Sequence, residues 1–105
     1  MTTFDEREEG FEKKFALDEE QKFRAEARRN RLLGLWAAEK LGISGDAAAA
    51  YAREVVAADF DEAGGVLVKI MADFAARSVA VTEQAIRAKM NELAAVAAAE
   101  VKAGK

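Results

Sequence analysis

Ile86, Met90, Leu93, Ala97 and Val101 recur every three or four residues through the closing stretch of this chain. That spacing becomes one continuous stripe only on an α-helix. No proline interrupts it, or anything else in the 105 residues, and alanine is abundant. Proline costs about 3 kcal/mol in a helix interior relative to alanine, so the chain reads as all-α from end to end. Hydrophobic residues make up 51% of it, but alanine supplies much of that total and aromatics only 8%. The core must therefore come from a modest set of Leu, Val, Ile, Met and aromatic side chains. The length suits one domain.

Punctuation places the helices. Asp18-Glu19-Glu20-Gln21 has the form of a capping box and predicts a helix reaching about Leu41, charged at its start and apolar at its end through Leu32, Leu33, Leu35, Trp36 and Leu41. Gly34 lies inside that helix. A glycine there weakens it unless another helix needs to come close, which is the reading adopted. Trp36 is read as core. Gly42 fits a left-handed C-terminal cap and Ser44 an N-cap. The following helix, over 46–58, faces inward with Tyr51, Ala52, Val55 and Val56. Asp59 to Gly65 is a loop. A helix over about 66–77 presents Leu67, Ile70, Met71 and Phe74 on one face, with Met71 and Met90 on core stripes. Val79-Ala80-Val81 is a short extended link, Thr82 caps the last helix, and the tail after Val101 frays.

The N-terminal stretch is different. Thr3 and Glu6 form another capping-box pattern, with a helix running toward Ala16, but its apolar residues are only Phe4, Phe11 and Phe15, on one narrow face. Gly10 within it costs about 1 kcal/mol relative to alanine. So short and polar a helix is marginal alone in water. The expected architecture is an all-α, four-helix protein: a compact bundle, built by three of the helices, carrying a mobile N-terminal helical arm. The arm occupies residues 1–17 and the body 18–105. The residues leave open whether the arm and the helix after it are continuous.

Chemistry is sparse. Cysteine and histidine are both absent, which removes disulfides, thiolate nucleophiles, the commonest metal ligand and the usual acid–base group at neutral pH. Ser44 and Ser78 are hydroxyls with structural readings and no base to activate them. Glu8 and Glu12, one turn apart without apolar cover, read as a solvated face. Gly64-Gly65 matches neither phosphate-loop nor dinucleotide patterns. No enzyme activity, metal or cofactor is expected. No apolar run approaches the roughly 20 residues of a membrane span, and the polar, acidic start is unlike a signal peptide, so a cytoplasmic protein is expected.

Charge is asymmetric although the net value is only −3. Residues 1–20 hold eight acids against three bases, and residues 21–31 hold five bases against Glu26 alone. Arg24, Arg28 and Arg31 share a helix face (i, i+4, i+7). That face reads as a solvated surface or a contact for an acidic partner, and less readily as a phosphate-binding patch for nucleotide or nucleic acid. The arm's phenylalanines read either as a stripe that orders in a partner's groove or as a helix against its own bundle.

The run Phe23-Arg24-Ala25-Glu26-Ala27-Arg28-Arg29-Asn30-Arg31-Leu32-Leu33-Gly34-Leu35-Trp36-Ala37-Ala38-Glu39 closely resembles the central signature of the zeta subunit family of alphaproteobacterial F-type ATP synthases. Met1 to Glu8 resembles that family's opening, and Phe11 to Ala16, Tyr51 to Val56 and Ile86 to Met90 are similar too. The resemblance implies a four-helix inhibitor that blocks ATP hydrolysis. Its N-terminal segment would enter an alpha/beta catalytic interface near the central rotor. The implied contacts are Phe4, Arg7, Glu8, Phe11, Lys14 and Phe15, with Arg24, Arg28 and Arg31 as a supporting basic face. The implied partners are the alpha, beta and gamma subunits of the catalytic head, without nucleic acid or membrane insertion. The protein would sit in the cytoplasm, held at the inner membrane through the synthase. The resemblance also carries an expectation of weak nucleotide binding. The alternative is a regulatory module that binds nucleotide or nucleic acid through the Arg24 to Arg31 face.

Overall fold

The computed structural model describes residues 16–61 and 64–105. Among them are four helices: α1 (Glu19–Leu41), α2 (Gly45–Ala58), α3 (Gly65–Ala76) and α4 (Glu83–Lys102). The proposed arm helix and its capping box at Thr3 and Glu6 lie outside the described residues.

α1 is the axle. It packs along α2 on one side and α4 on another, and α3 closes the far end by touching all three. The bundle therefore holds four helices and not three, because the stretch 19–41 carries Leu33, Ala37, Ala38 and Leu41 into the centre. Those side chains meet Tyr51 and Val55 of α2, Val66, Ile70 and Phe74 of α3, and Ile86 of α4. Trp36 lies half-buried against this core, its ring edge-on to Phe74 with centroids 5.9 Å apart.

Gly34 does what its place in the helix implied. A Cβ built on it would lie 2.7 Å from Ala52 Cα and 3.2 Å from Val55 Cβ, so α1 and α2 come close there only because no side chain intervenes.

Three helices end in the same way. Gly42, Ser78 and Gly104 take positive φ angles of 76°, 58° and 82°. After each, the next amide reaches back to a carbonyl in the last turn: Ile43 to Ala38 at 2.8 Å, Val79 to Phe74 at 2.8 Å and Lys105 to Glu100 at 2.9 Å. This is the Schellman arrangement, which satisfies carbonyls that a helix end leaves bare. At Ser78 it is made without glycine, and half-buried Val79 is turned back onto the core. At Gly104 it closes a tail that was expected to fray.

Two other expectations change. Ser44 stands at the N-cap with extended backbone, but its side chain makes no capping bond. On α3 the buried residues are Val66, Ile70 and Phe74, while Met71 is 37% exposed. Val66-Leu67 and Ile70-Met71 are apolar doublets, and each offers two faces about 100° apart. The pattern could not choose between them, and contact with α1 and α4 did.

Candidate functional site

The proposed site begins where the chain enters α1. Asp18 is extended (φ −74°, ψ 175°), accepts from the Gln21 amide through Oδ1 at 2.7 Å, and donates its own amide to Gln21 Oε1 at 3.1 Å. This reciprocal box starts α1 afresh. Residues 16–18 are not helical, so α1 does not run back through them. Just before it, the Ala16 carbonyl accepts from Lys102 Nζ at 2.9 Å. The chain therefore enters the bundle beside the C-terminal end of α4. Phe4, Arg7, Glu8, Phe11, Lys14 and Phe15 all lie outside the described residues.

The basic face is divided by the tertiary structure. Arg28 is half-buried. Its NH1 donates to Glu100 Oε1 at 3.2 Å and its NH2 donates to the Lys105 carbonyl, which ties α1 to the end of α4. Arg24 and Arg31 stay exposed. Arg29 donates through Nε and NH2 to Asn30 Oδ1 at 3.0 and 2.8 Å, and Asn30 is the one buried polar side chain among the described residues. Nothing in the spacing marked Asn30 as interior. It lies seven residues after Phe23 and four before Gly34, about 40° around the helix from the glycine that meets α2.

A second polar feature escaped the reading of the sequence. A shallow, open cleft of about 360 Å³ runs between α2 and α3. Within it the Tyr51 hydroxyl donates to Asp73 Oδ2 at 2.7 Å. Lys69 Nζ reaches the same oxygen at 3.1 Å, lies 3.8 Å from Glu54, and stands 5.1 Å from the centre of the Tyr51 ring. Burial first, then the bond to Asp73 and the negative charges of Asp73 and Glu54, push the Tyr51 phenol far above its ordinary range. The hydroxyl therefore stays protonated and serves as a donor, not as a base. Arg77 lines the cleft and donates to the Leu41 carbonyl at 3.4 Å. Two cations face two carboxylates, so the cleft has no uncompensated charge. The Lys69–Asp73 spacing (i, i+4) was visible in the sequence, but Tyr51 joins it only through folding.

Among the described residues no group of three or more Asp, Glu, His or Cys could hold a metal ion, and no helix is long and apolar enough to cross a membrane. Two large aromatics are left uncovered: Phe23 is 68% exposed and Phe60 is 81% exposed.

Comparison with known proteins bears directly on this layout. A sequence model of the ATPase inhibitor subunit zeta family matches residues 1–100, from the N-terminal phenylalanines to the last turn of α4. The chain belongs to the ATPase inhibitor subunit zeta family. A protein solved by solution NMR is 50% identical and superposes with a TM-score of 0.68; the match covers 79% of this chain and 96% of that one. No curated protein matches. Membership of the zeta family makes the chain a regulatory partner of the ATP synthase, an inhibitor of its hydrolytic reaction.

Proposed function

We propose that the protein blocks ATP hydrolysis by placing residues 1–17 as a helix in an alpha/beta catalytic interface of the synthase head, close to the central rotor, while residues 18–105 form the body from which that segment projects. The observation that carries this reading is the extent of the family match. It starts at residue 1 and includes Phe4, Arg7, Glu8, Phe11, Lys14 and Phe15, whereas the capping box at Asp18 gives α1 its own beginning. The N-terminal residues are thus within the family pattern without being needed to start the first helix of the bundle.

The physics asks for no catalytic group. Rotary hydrolysis requires each interface to open and close, and a ligand that binds one state far better than the others traps that state. The phenylalanine stripe fills an apolar groove, while Arg7, Glu8 and Lys14 set register and association rate. Ordering a loose segment consumes about 2–5 kcal/mol of the interaction, so a body that adds contacts near its root lowers the dissociation rate. Arg24 and Arg31 are exposed there to meet acidic groups on the head, and Arg28 holds the platform together through Glu100.

The test is a titration of the purified protein into a cognate catalytic head while ATP hydrolysis is followed. The full chain should inhibit nearly completely. A chain lacking residues 1–16 should not inhibit, yet should keep its helical circular dichroism, because the buried core side chains of the described residues all lie within 25–101. Full inhibition by the truncated chain would refute the insertion mechanism.

A further inference from the structure

α1 and α2 form a hairpin with a measurable register. Gly34 stands seven residues before the end of α1 and meets Ala52, which stands seven residues after the start of α2. Counting on at the same rate, the last residue of α2, Ala58, falls level with Arg28. Residues 19–27 of α1 therefore extend past the end of α2, an overhang of roughly 13 Å at 1.5 Å per residue.

Among the described residues, that overhang is covered on one side only. Ala25 is buried, Arg28 is tied to Glu100, and Lys102 reaches back to Ala16, so α4 backs it. The opposite face belongs to the stripe that packs on α2. Phe23 lies seven residues before buried Asn30 and eleven before Gly34, within about 20° of both on a helix. The stripe that α2 covers at Gly34 thus runs through buried Asn30 and continues, exposed, through Ala27 to Phe23. Phe60 sits in the turn that closes α2, its amide bonded to the Ala57 carbonyl at 3.1 Å. The two most exposed large apolar side chains among the described residues are therefore at the same end of the molecule.

The rim of this shelf is acidic on one flank. Glu19 and Glu26 are exposed there on α1 near Phe23, with Lys22 3.7 Å from Glu19, while exposed Arg24 and Arg31 mark the other flank. Asp59 and Asp61 flank Phe60 at the C-terminal end of α2, where the helix dipole is already negative and carboxylates are disfavoured. Two uncovered phenylalanines and acids at the wrong end of a helix burden the free body. An apolar surface with a basic rim would relieve both.

We infer that the shelf made by Phe23, Ala27 and Phe60 is a second docking surface for the partner that takes the N-terminal segment: a patch of the synthase head, apolar and basic where it faces Glu19, Glu26 and Asp61, beside the groove that segment enters. This rests on the reading under Proposed function. Continuity argues for that occupant, since residues 1–15 leave from Ala16 at this same end and bring the shelf against whatever they enter. The body then docks through a rigid surface as well as through an ordered segment.

The experiment compares four full-length chains: wild type, Phe23→Ser with Phe60→Ser, Phe11→Ser with Phe15→Ser, and all four changes together. Phe23 and Phe60 contribute little to the core, so circular dichroism and melting should match the wild type. In inhibition titrations against the catalytic head, the Phe23/Phe60 double variant should bind about a hundredfold more weakly, at roughly tenfold per buried ring. Wild-type inhibition unchanged by that double variant would overturn the shelf alone and leave the insertion reading standing. Failure of the wild type itself to bind the head would remove both. The free chain supplies a second readout. If the Phe23 and Phe60 ring resonances shift when Phe11 and Phe15 become serine, the chain's own N-terminal segment is the occupant and the inference fails. Unchanged resonances support an external partner.

Discussion

Replacing Gly34 by alanine tests how closely α1 and α2 are drawn together. In an ordinary helix interior the change would stabilise by about 1 kcal/mol, since glycine is that much the poorer helix former. Here the new Cβ would sit 2.7 Å from Ala52 Cα and 3.2 Å from both Ala52 Cβ and Val55 Cβ, whereas carbon pairs settle at about 3.5–4.0 Å. The nearest atom is backbone, so no rotamer change can relieve the clash. The two helices would have to part, loosening the seam of Leu33, Ala37, Tyr51 and Val55. Overpacking of a core costs about 1–3 kcal/mol. A backbone contact at 2.7 Å belongs at the upper end of that range. Less the helix gain, the net loss is about 2 kcal/mol. For a domain of this size that lowers Tm by about 10 °C. Thermal and urea unfolding followed by circular dichroism measure it. A Gly34→Ala protein that melts above the wild type would refute the close approach, because helix propensity alone predicts that sign.

Two further outcomes follow from the described contacts. Tyr51 is the only tyrosine and its phenol is raised by burial and by Asp73. The fold favours the neutral phenol, so this contribution is fully present below the ordinary tyrosine value of about 10 and is lost as pH rises above it. Tyrosinate absorbance should appear only together with loss of helix in an alkaline titration, and a phenol that ionises near pH 10 in the folded chain, at about its reference value, would contradict the assignment. Asp18→Ala removes the capping box, which should cost about 1 kcal/mol and raise amide exchange over the first turn of α1. Unchanged exchange there would mean that the box is not what starts the helix.

The helix boundaries were legible because they depend on local chemistry. The Asp18 and Thr82 caps, the Gly42 stop and the last stripe each follow from a few neighbouring residues and the backbone groups that a helix end leaves bare. Gly34 was legible for a related reason: glycine inside an otherwise strong helix is costly unless something needs the space. Where local chemistry offered equivalent choices, reading failed. The doublets of α3 are apolar on two faces, and Ser44 is a good capping residue that here makes no capping bond. The proposed contact residues of the N-terminal stretch were singled out by an aromatic stripe in a charged setting and by family resemblance, and they lie outside the described residues.

What the sequence determined by itself was the class and the kinship: all-α, without histidine or cysteine, and a member of the zeta family. Composition, helical period and a long shared motif are properties of the chain and survive without coordinates. The tertiary structure decided which of the equivalent faces are used. It turned Arg28 from a member of a basic face into a tie to Glu100, and it built the Tyr51–Asp73–Lys69 network from two helices. It also left Phe23 and Phe60 uncovered at the end where the N-terminal segment leaves. Each of these depends on the length of one helix against another and on long-range pairing, and no local window of sequence contains that information.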